Sequence, residues 1–152
     1  MAKNVYLDYN ATTPVAPEVL DAMSPWFTER FWNAASSHPM GMVANDAVEA
    51  ARRQVADLIG AHPNEIVFTS GSTESINLAL KGALSASPGR TGIVTVATEH
   101  KAVLDTAAWL AEQGAATCVL PVTASGEIDS ELFGGSVDQH TAVVSVMAAN
   151  NE

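Results

Sequence analysis

The sequence predicts an α/β fold, with a mainly parallel sheet covered by helices on both faces. After residue 60, short uninterrupted apolar runs alternate with longer segments whose apolar residues recur every three or four positions. Uninterrupted apolar runs are typical of strands buried on both sides, and their alternation with helices indicates a parallel arrangement. The chain has 152 residues, of which 47% are hydrophobic, so one domain with a sizeable core is expected.

Two helices separated by a loop are predicted in the first 60 residues. A helix is predicted over Pro17–Phe27, and it is expected to bury one side formed by Val19, Leu20, Met23 and Phe27. Residues 31–41 follow neither the helical nor the strand period and are predicted to form a loop. A second helix is predicted over Asn45–Ile59, and Gly60 is expected to end it.

The alternating units follow. Strands are predicted at Ile66–Phe68, Ile93–Ala97, Ala116–Leu120 and Ala142–Met147. Helices are predicted at Ser72–Leu84 and Ala102–Gln113. The last strand is continuously apolar and is expected to be the best buried. Ligands of open parallel sheets bind just beyond the carboxyl ends of the strands, so a site is expected at that edge.

The charge balance, the cysteine count and the length of the apolar runs limit the kinds of partner and cellular location that we expect. The chain carries 17 acidic and 7 basic residues, a formal net charge of -10, which disfavours nucleic acid and anionic membrane as partners. Cys118 is the single cysteine, so no internal disulfide is possible, and it is predicted to be a small apolar residue of a strand. No run of membrane-spanning length is present, and we expect a cytoplasmic protein without a metal site.

Small hydroxyl residues stand where an apolar run changes into a helical pattern. Gly71, Ser72 and Thr73 open the predicted helix, and Glu74 follows them. Free N–H groups, the positive end of the helix dipole and two hydroxyls would suit a phosphate there. The alternative is an ordinary helix cap, since Ser and Thr favour such positions. The stretch matches neither the Walker pattern nor the dinucleotide glycine triplet.

Two further polar clusters follow predicted strands. His100 lies within Thr98–Lys101, where it would either stack on a planar cofactor or move a proton, or simply be a cap or surface histidine. Asn150 and Asn151 follow the last strand, and an asparagine amide suits a phenolic oxygen or a ring nitrogen. Parallel strands place their carboxyl ends along one edge, so we expect the three clusters to lie near one another.

These segments carry a resemblance to a known family. The chain resembles, in order, the opening half of cysteine desulfurases, pyridoxal-phosphate enzymes of the class V aminotransferase group. The match runs from Val5 to Glu152 through the blocks VYLDYNATTPV, NAASSHPMG, EIVFTSGSTESINLALKG, TEHKAVLDT, GEID and VSVMAANNE. Selenocysteine lyases and kynureninases share the fold but fewer of these sequence motifs. The resemblance implies part of the large domain of the aspartate aminotransferase-like architecture, called fold type I.

The resemblance also implies roles for single residues. Ser72 and Thr73, with Gly71, would hold the phosphate of pyridoxal 5'-phosphate. His100 would stack on its pyridine ring and assist proton transfer. Asn151 would contact the oxygen of the cofactor ring. The loop around Asn33 resembles the segment that lines the substrate entrance, although alanines follow it where the family commonly has Pro and Ser.

The resemblance covers an amino-terminal part, divided into a segment 1–16 and an α/β part 17–152. The family's Schiff-base lysine and persulfide cysteine have no counterpart here, so the chain is expected to be a fragment or half-subunit that is inactive alone. Expected partners are a complementary carboxyl-terminal half or a homodimer of the full-length form, L-cysteine, and a sulfur acceptor or scaffold protein for iron-sulfur or thio-cofactor synthesis. Without a partner chain we expect aggregation. The alternatives are another class V enzyme fragment or a non-catalytic interaction module.

Overall fold

The computed structural model describes residues 5–9 and 11–150. The chain divides into two compact units, with the boundary between Phe68 and Thr69. The first unit is helical and the second holds the sheet. The segment 1–16 predicted above is not a unit of this division and stays a prediction, and Asn151 lies outside the described residues.

The first unit begins with two short helices, α1 (Pro17–Met23) and α2 (Pro25–Thr28). The predicted helix over this region is therefore present but interrupted at Ser24, because Pro25 has no N–H to continue the helical ladder. The predicted burial of its apolar side is wrong, since Phe27 is 69% exposed and no residue of either helix is buried.

Helix α3 (Pro39–Ile59) is the longest helix of the first unit. It begins before the predicted Asn45, so the prediction of loop for residues 31–41 is wrong at its end. His38 is the cap, its Nδ1 accepting the N–H of Gly41 at 3.1 Å, and Pro39 occupies the first helical position. The helix ends as predicted at Gly60, which has a left-handed φ of 68°.

The segment Ile66–Phe68 is extended but is not a strand, so that prediction is wrong. A strand needs a neighbour for its ladder of hydrogen bonds, and this segment pairs with none in the described part of the chain. It follows a 3-10 turn (Pro63–Glu65) and is held by Arg52 of α3. The Arg52 guanidinium donates to the carbonyl of Ile66 and lies 5.0 Å from the centre of the Phe68 ring.

The second unit alternates helices and strands. In chain order it contains α4 (Ser72–Ala86), β1 (Gly92–Val96), α5 (Lys101–Glu112), β2 (Ala116–Leu120), α6 (Ser130–Ser136) and β3 (Thr141–Val144). The predicted elements are confirmed to within a few residues at each end, except that β3 is shorter than expected. Helix α6 was not predicted; Asp129 caps it by accepting the N–H groups of Glu131 and Leu132.

The three strands are parallel and lie in the order β2-β1-β3. Helices α4 and α5 cover one face, in a cluster that includes Leu80, Ile93 and Ala107. Phe133 of α6 packs on the other face, against the cluster of Val94, Val96 and Leu120, with half-buried Cys118 of β2 beside it. The predicted α/β fold with helices on both faces is confirmed.

The central strand is β1, which is buried on both sides. Strand β3 is half-buried, with Val144 40% exposed, so the expectation that it is the best buried strand is wrong. Apolar residues alone did not decide burial, because β3 pairs with β1 on one side only. Of the helices formed by residues 5–9 and 11–150, none is long and apolar enough to cross a bilayer.

Candidate functional site

The loops that follow β1 and β3 meet at the carboxyl edge of the sheet. The side-chain amide of Asn150 donates to the carbonyl of Thr98 at 2.8 Å, and the Ser145 hydroxyl donates to the Glu99 carboxylate at 3.0 Å. These contacts join residues 46 and 52 positions apart in sequence. Two of the three predicted polar clusters are therefore neighbours, because β1 and β3 are adjacent and parallel.

A cavity of about 490 Å³ lies at this junction. It is lined by Ala97, Thr98, Glu99, His100, Lys101, Leu104, Met147 and Asn150. Five of these residues are polar and three are apolar, so the cavity is more polar than most small-molecule sites and suits a polar ligand. Sequence reasoning placed His100 here but assigned no role to Glu99 or Met147.

His100 is the N-cap of α5, so the cap alternative is correct, and this role uses only one of the two ring nitrogens. Its Nδ1 accepts the N–H of Ala102 at 3.1 Å. A ring nitrogen that accepts a hydrogen bond carries no proton, so the neutral ring holds its proton on Nε2. Within residues 5–9 and 11–150 the ring makes no other hydrogen bond. Nε2–H is therefore available to a molecule in the cavity.

Helix α4 begins beside a second group of polar residues. Gly71 is its N-cap, has extended backbone angles, and leaves the helix without a side-chain cap. The hydroxyls of Ser72 and Thr73 are exposed and make no hydrogen bond to any described residue. The N–H groups of Ser72, Thr73 and Glu74 likewise have no acceptor in the described part of the chain, whereas the N–H of Ser75 donates to the carbonyl of Gly71. The ordinary-cap alternative does not account for these two hydroxyls.

The neighbouring hydroxyls are all occupied. Thr69 Oγ1 lies 2.6 Å from Ser75 Oγ, and both oxygens lie 3.2 Å from the carbonyl oxygen of Gly71, so one hydroxyl donates to the other and the second donates to that carbonyl. Ser70 donates its N–H and its hydroxyl to the same oxygen of Glu74, both at 2.7 Å. The backbone N–H and then the hydroxyl of Ser70 lower the pKa of Glu74. These bonds hold the loop and leave Ser72 and Thr73 as the free donors.

The donor set at the start of α4 fits an anion such as a phosphate. A Cβ built on Gly71 would meet no atom within 4 Å, so the space beside this residue is open. At this end of the helix lie two hydroxyls and three N–H groups that have no partner among the described residues, together with the positive end of the helix dipole. The carboxylate of Glu74, which would repel an anion, is turned back to Ser70.

The two groups belong to the same edge of the second unit. Helix α4 is joined to the start of β1, and α5 begins shortly after β1 ends, while both helices pack on one face of the sheet. Both helix N-termini therefore face the carboxyl edge. The cavity brings His100 together with Asn150, but Gly71, Ser72 and Thr73 do not line it. That these residues and Asn151 share one ligand with His100 stays a prediction.

The loop around Asn33 belongs to the first unit. Asn33 Oδ1 accepts the N–H of Ala35 at 2.8 Å, and the carbonyl of Asn33 accepts the N–H of Ser36. A Cβ on Gly41 would lie 2.2 Å from the carbonyl oxygen of Ser36. Glycine is therefore required at this point for the loop to approach α3.

Comparison with known proteins gives consistent results. The family model described as "Aminotransferase class-V" matches residues 5–152. The chain is 51% identical over 151 residues to the cysteine desulfurase IscS of Dechloromonas aromatica (strain RCB), a match that covers 97% of this chain and 37% of that protein.

Solved structures give the same picture. A NifS-like protein superimposes with a TM-score of 0.90 at 42% identity, covering 99% of this chain and 41% of that chain. SspA in complex with cysteine superimposes with a TM-score of 0.87 at 38% identity, covering 97% of this chain and 43% of that chain. The present chain thus spans rather more than a third of the length of these proteins.

Proposed function

Since this chain belongs to the aminotransferase class-V family, we propose that it is the amino-terminal part of a cysteine desulfurase that uses pyridoxal 5'-phosphate. The observation that carries the proposal is that the hydroxyls of Ser72 and Thr73, at a helix start without a side-chain cap, have no partner among residues 5–9 and 11–150. They stand in the segment that resembles the family's phosphate cup. The 51% identity to a cysteine desulfurase favours this member of the family over others.

The residues of this chain would bind and orient the cofactor. The hydroxyls of Ser72 and Thr73 and the N–H groups behind Gly71 would donate to the phosphate. His100 would lie against the ring and offer Nε2–H, while Asn151 would donate to the ring oxygen. When bound, pyridoxal phosphate supplies an electron sink for the bonds at the substrate's α-carbon.

The substrate proposed for the whole protein is L-cysteine, whose sulfur would pass to a cysteine persulfide with release of L-alanine. Support comes from the solved relative that holds cysteine. By the resemblance, the Schiff-base lysine and the persulfide cysteine belong to a part of the family that these 152 residues do not match. We propose that this chain alone binds without reacting, and that its partners are a carboxyl-terminal part, a second subunit and a sulfur acceptor for iron-sulfur or thio-cofactor synthesis in the cytoplasm.

The test is reconstitution. The chain is mixed with the carboxyl-terminal part of the Dechloromonas aromatica relative, and alanine release from L-cysteine is measured with and without pyridoxal phosphate. We expect release only from the complete, cofactor-containing mixture. Alanine release from selenocysteine but not from L-cysteine would favour a selenocysteine lyase. Saturable assembly without cofactor binding would instead favour the interaction module.

A matched control separates assembly from chemistry. The double variant Ser72→Ala/Thr73→Val keeps the helix and removes both free hydroxyls, so it should assemble with the carboxyl-terminal part but lose cofactor affinity. Unchanged cofactor affinity in this variant would contradict the assignment of the phosphate cup, even if the mixture were active.

A further inference from the structure

Glu99 is a buried carboxylate that the proposed chemistry leaves without a role. It lines the 490 Å³ cavity, and the residue is 8% exposed. Among residues 5–9 and 11–150 it has no cationic partner, since the ion pairs there are Arg52–Glu49 and Lys101–Asp105. Burying an unpaired carboxylate is costly unless hydrogen bonds compensate. A position that keeps such a group is therefore unusual.

Both oxygens of this carboxylate are used. Oε1 accepts the hydroxyl of Ser145 at 3.0 Å, and Oε2 accepts the backbone N–H of His100 at 3.1 Å. Ser145 follows β3 directly, and its own N–H donates to the carbonyl of Val94 in β1. The carboxylate therefore ties the backbone of His100 to a strand end that is itself fastened to the centre of the sheet.

The imidazole of His100 is then restrained at two points. Its backbone is held by Glu99, and its ring is held by the bond from Ala102 N–H to Nδ1. The start of α5 also holds this backbone, since the carbonyl of His100 accepts the N–H groups of Val103 and Leu104, and Glu99 adds the bond that joins His100 to the end of β3. Together these bonds define the position of Nε2–H at the cavity.

We propose that Glu99 is a positioning residue for His100. Its carboxylate clamps the loop between β1 and α5 to the end of β3, so that the imidazole is in place before any ligand arrives. This inference rests on the proposed function in one respect, since the ligand that His100 would contact is the pyridoxal phosphate ring. The position of the His100 ring itself can be measured without the cofactor.

Three substitutions separate the clamp from the charge. Glu99→Gln removes the charge but keeps both bonds, because the amide oxygen accepts from His100 N–H while the amide N–H₂ donates to the Ser145 hydroxyl. Glu99→Ala removes both bonds, and Ser145→Ala removes one. Glu112→Gln, an exposed carboxylate at the end of α5, is the matched control for loss of one charge.

The first measurement is nuclear magnetic resonance of the histidine rings and of amide exchange in the isotope-labelled 152-residue chain, mixed with the unlabelled carboxyl-terminal part of the relative because the chain alone is expected to aggregate. In Glu99→Ala, we expect the ring nitrogen chemical shifts of His100 to lose the pattern of an Nδ1 that accepts a hydrogen bond. The amide hydrogen of Ala102 should exchange with solvent about fivefold faster or more, because losing one helix cap has an effect of this size. Ser145→Ala should change in the same direction. Glu99→Gln and Glu112→Gln should resemble the wild type.

His62 provides an internal reference, because its Nδ1 accepts the N–H of Asn64 in the other unit. The inference is overturned if His100 keeps its wild-type pattern in both Glu99→Ala and Ser145→Ala. It is also overturned if His62 changes as much as His100, since the effect would then be a general loss of folding. Should Glu99→Ala alone unfold, the single-bond variant Ser145→Ala decides.

The second measurement is pyridoxal phosphate binding, followed by the absorbance of the bound cofactor in chain mixed with the carboxyl-terminal part of the relative. We expect Glu99→Ala to alter the spectrum and Glu99→Gln to restore it. If the wild type binds no cofactor, the proposed function is wrong, and the His100 ring measurement still tests the positioning role of Glu99. If the wild type binds the cofactor but the His100 ring does not respond to the substitutions, only the positioning role of Glu99 is wrong.

Discussion

Replacing the two free hydroxyls at the start of α4 should weaken cofactor binding without weakening the fold. The variants are Ser72→Ala and Thr73→Val. Both hydroxyls are exposed and unpartnered among the described residues, so their removal breaks no bond within the chain. Surface changes of this kind alter the free energy of unfolding by no more than about 0.5 kcal/mol.

The effect on affinity follows from the charge of the phosphate. A hydrogen bond to a charged group contributes about 1.5–3 kcal/mol, and 1.4 kcal/mol corresponds to a tenfold change in the dissociation constant. Each variant should therefore raise the dissociation constant for pyridoxal phosphate by about 10- to 150-fold. Isothermal titration calorimetry measures the affinity, and thermal unfolding measures the stability.

Two controls make this prediction specific. Ser75→Ala removes a hydroxyl in the same turn that is bound to Thr69 and to the Gly71 carbonyl. It should cost about 0.5–1.5 kcal/mol of stability and change affinity less than the two variants above. Pyridoxal without its phosphate should bind wild type and variants equally. Equal loss for pyridoxal and pyridoxal phosphate, or no loss for either, would refute the assignment.

Three further predictions concern the fold. Gly41→Ala should lower the free energy of unfolding by about 1–3 kcal/mol in denaturant titration, because its Cβ would meet the Ser36 carbonyl at 2.2 Å. The control Gly82→Ala, in open space on α4, should instead raise the free energy of unfolding by about 0.5–1 kcal/mol. Ile93→Ala, at the fully buried centre of β1, should cost about 2–5 kcal/mol, measured as a lower midpoint of unfolding, and a smaller loss would contradict the described core. Glu74, whose pKa is lowered, stabilises the fold at neutral pH and loses this effect as the pH falls below 4.5, so the stability difference from Glu74→Gln should vanish in acid; a constant difference would be against it.

Part of the candidate site was predictable because its signals are local. The glycine and hydroxyls at the start of α4 mark a helix N-terminus in the sequence itself, and so does His100 at the start of α5. The start of α3 was equally available, since His38 followed by Pro39 is a cap followed by a proline at the first helical position. The prediction of a loop over residues 31–41 rests on the hydrophobic period alone, and a cap and a proline are single residues that no period reports.

Periodicity, caps and turns within a few residues are enough to predict the α/β class, the parallel arrangement and the approximate limits of α4, β1, α5 and β2. The folded structure shows that Ile66–Phe68 forms no strand with any described residue, and no local pattern could report this because a strand exists only through a partner. The folded structure also decides which hydroxyls are free, since the bonds that occupy Thr69 and Ser75 depend on the shape of the folded loop. The burial of Glu99 against Ser145 joins residues 46 positions apart, and no local pattern reports such a contact.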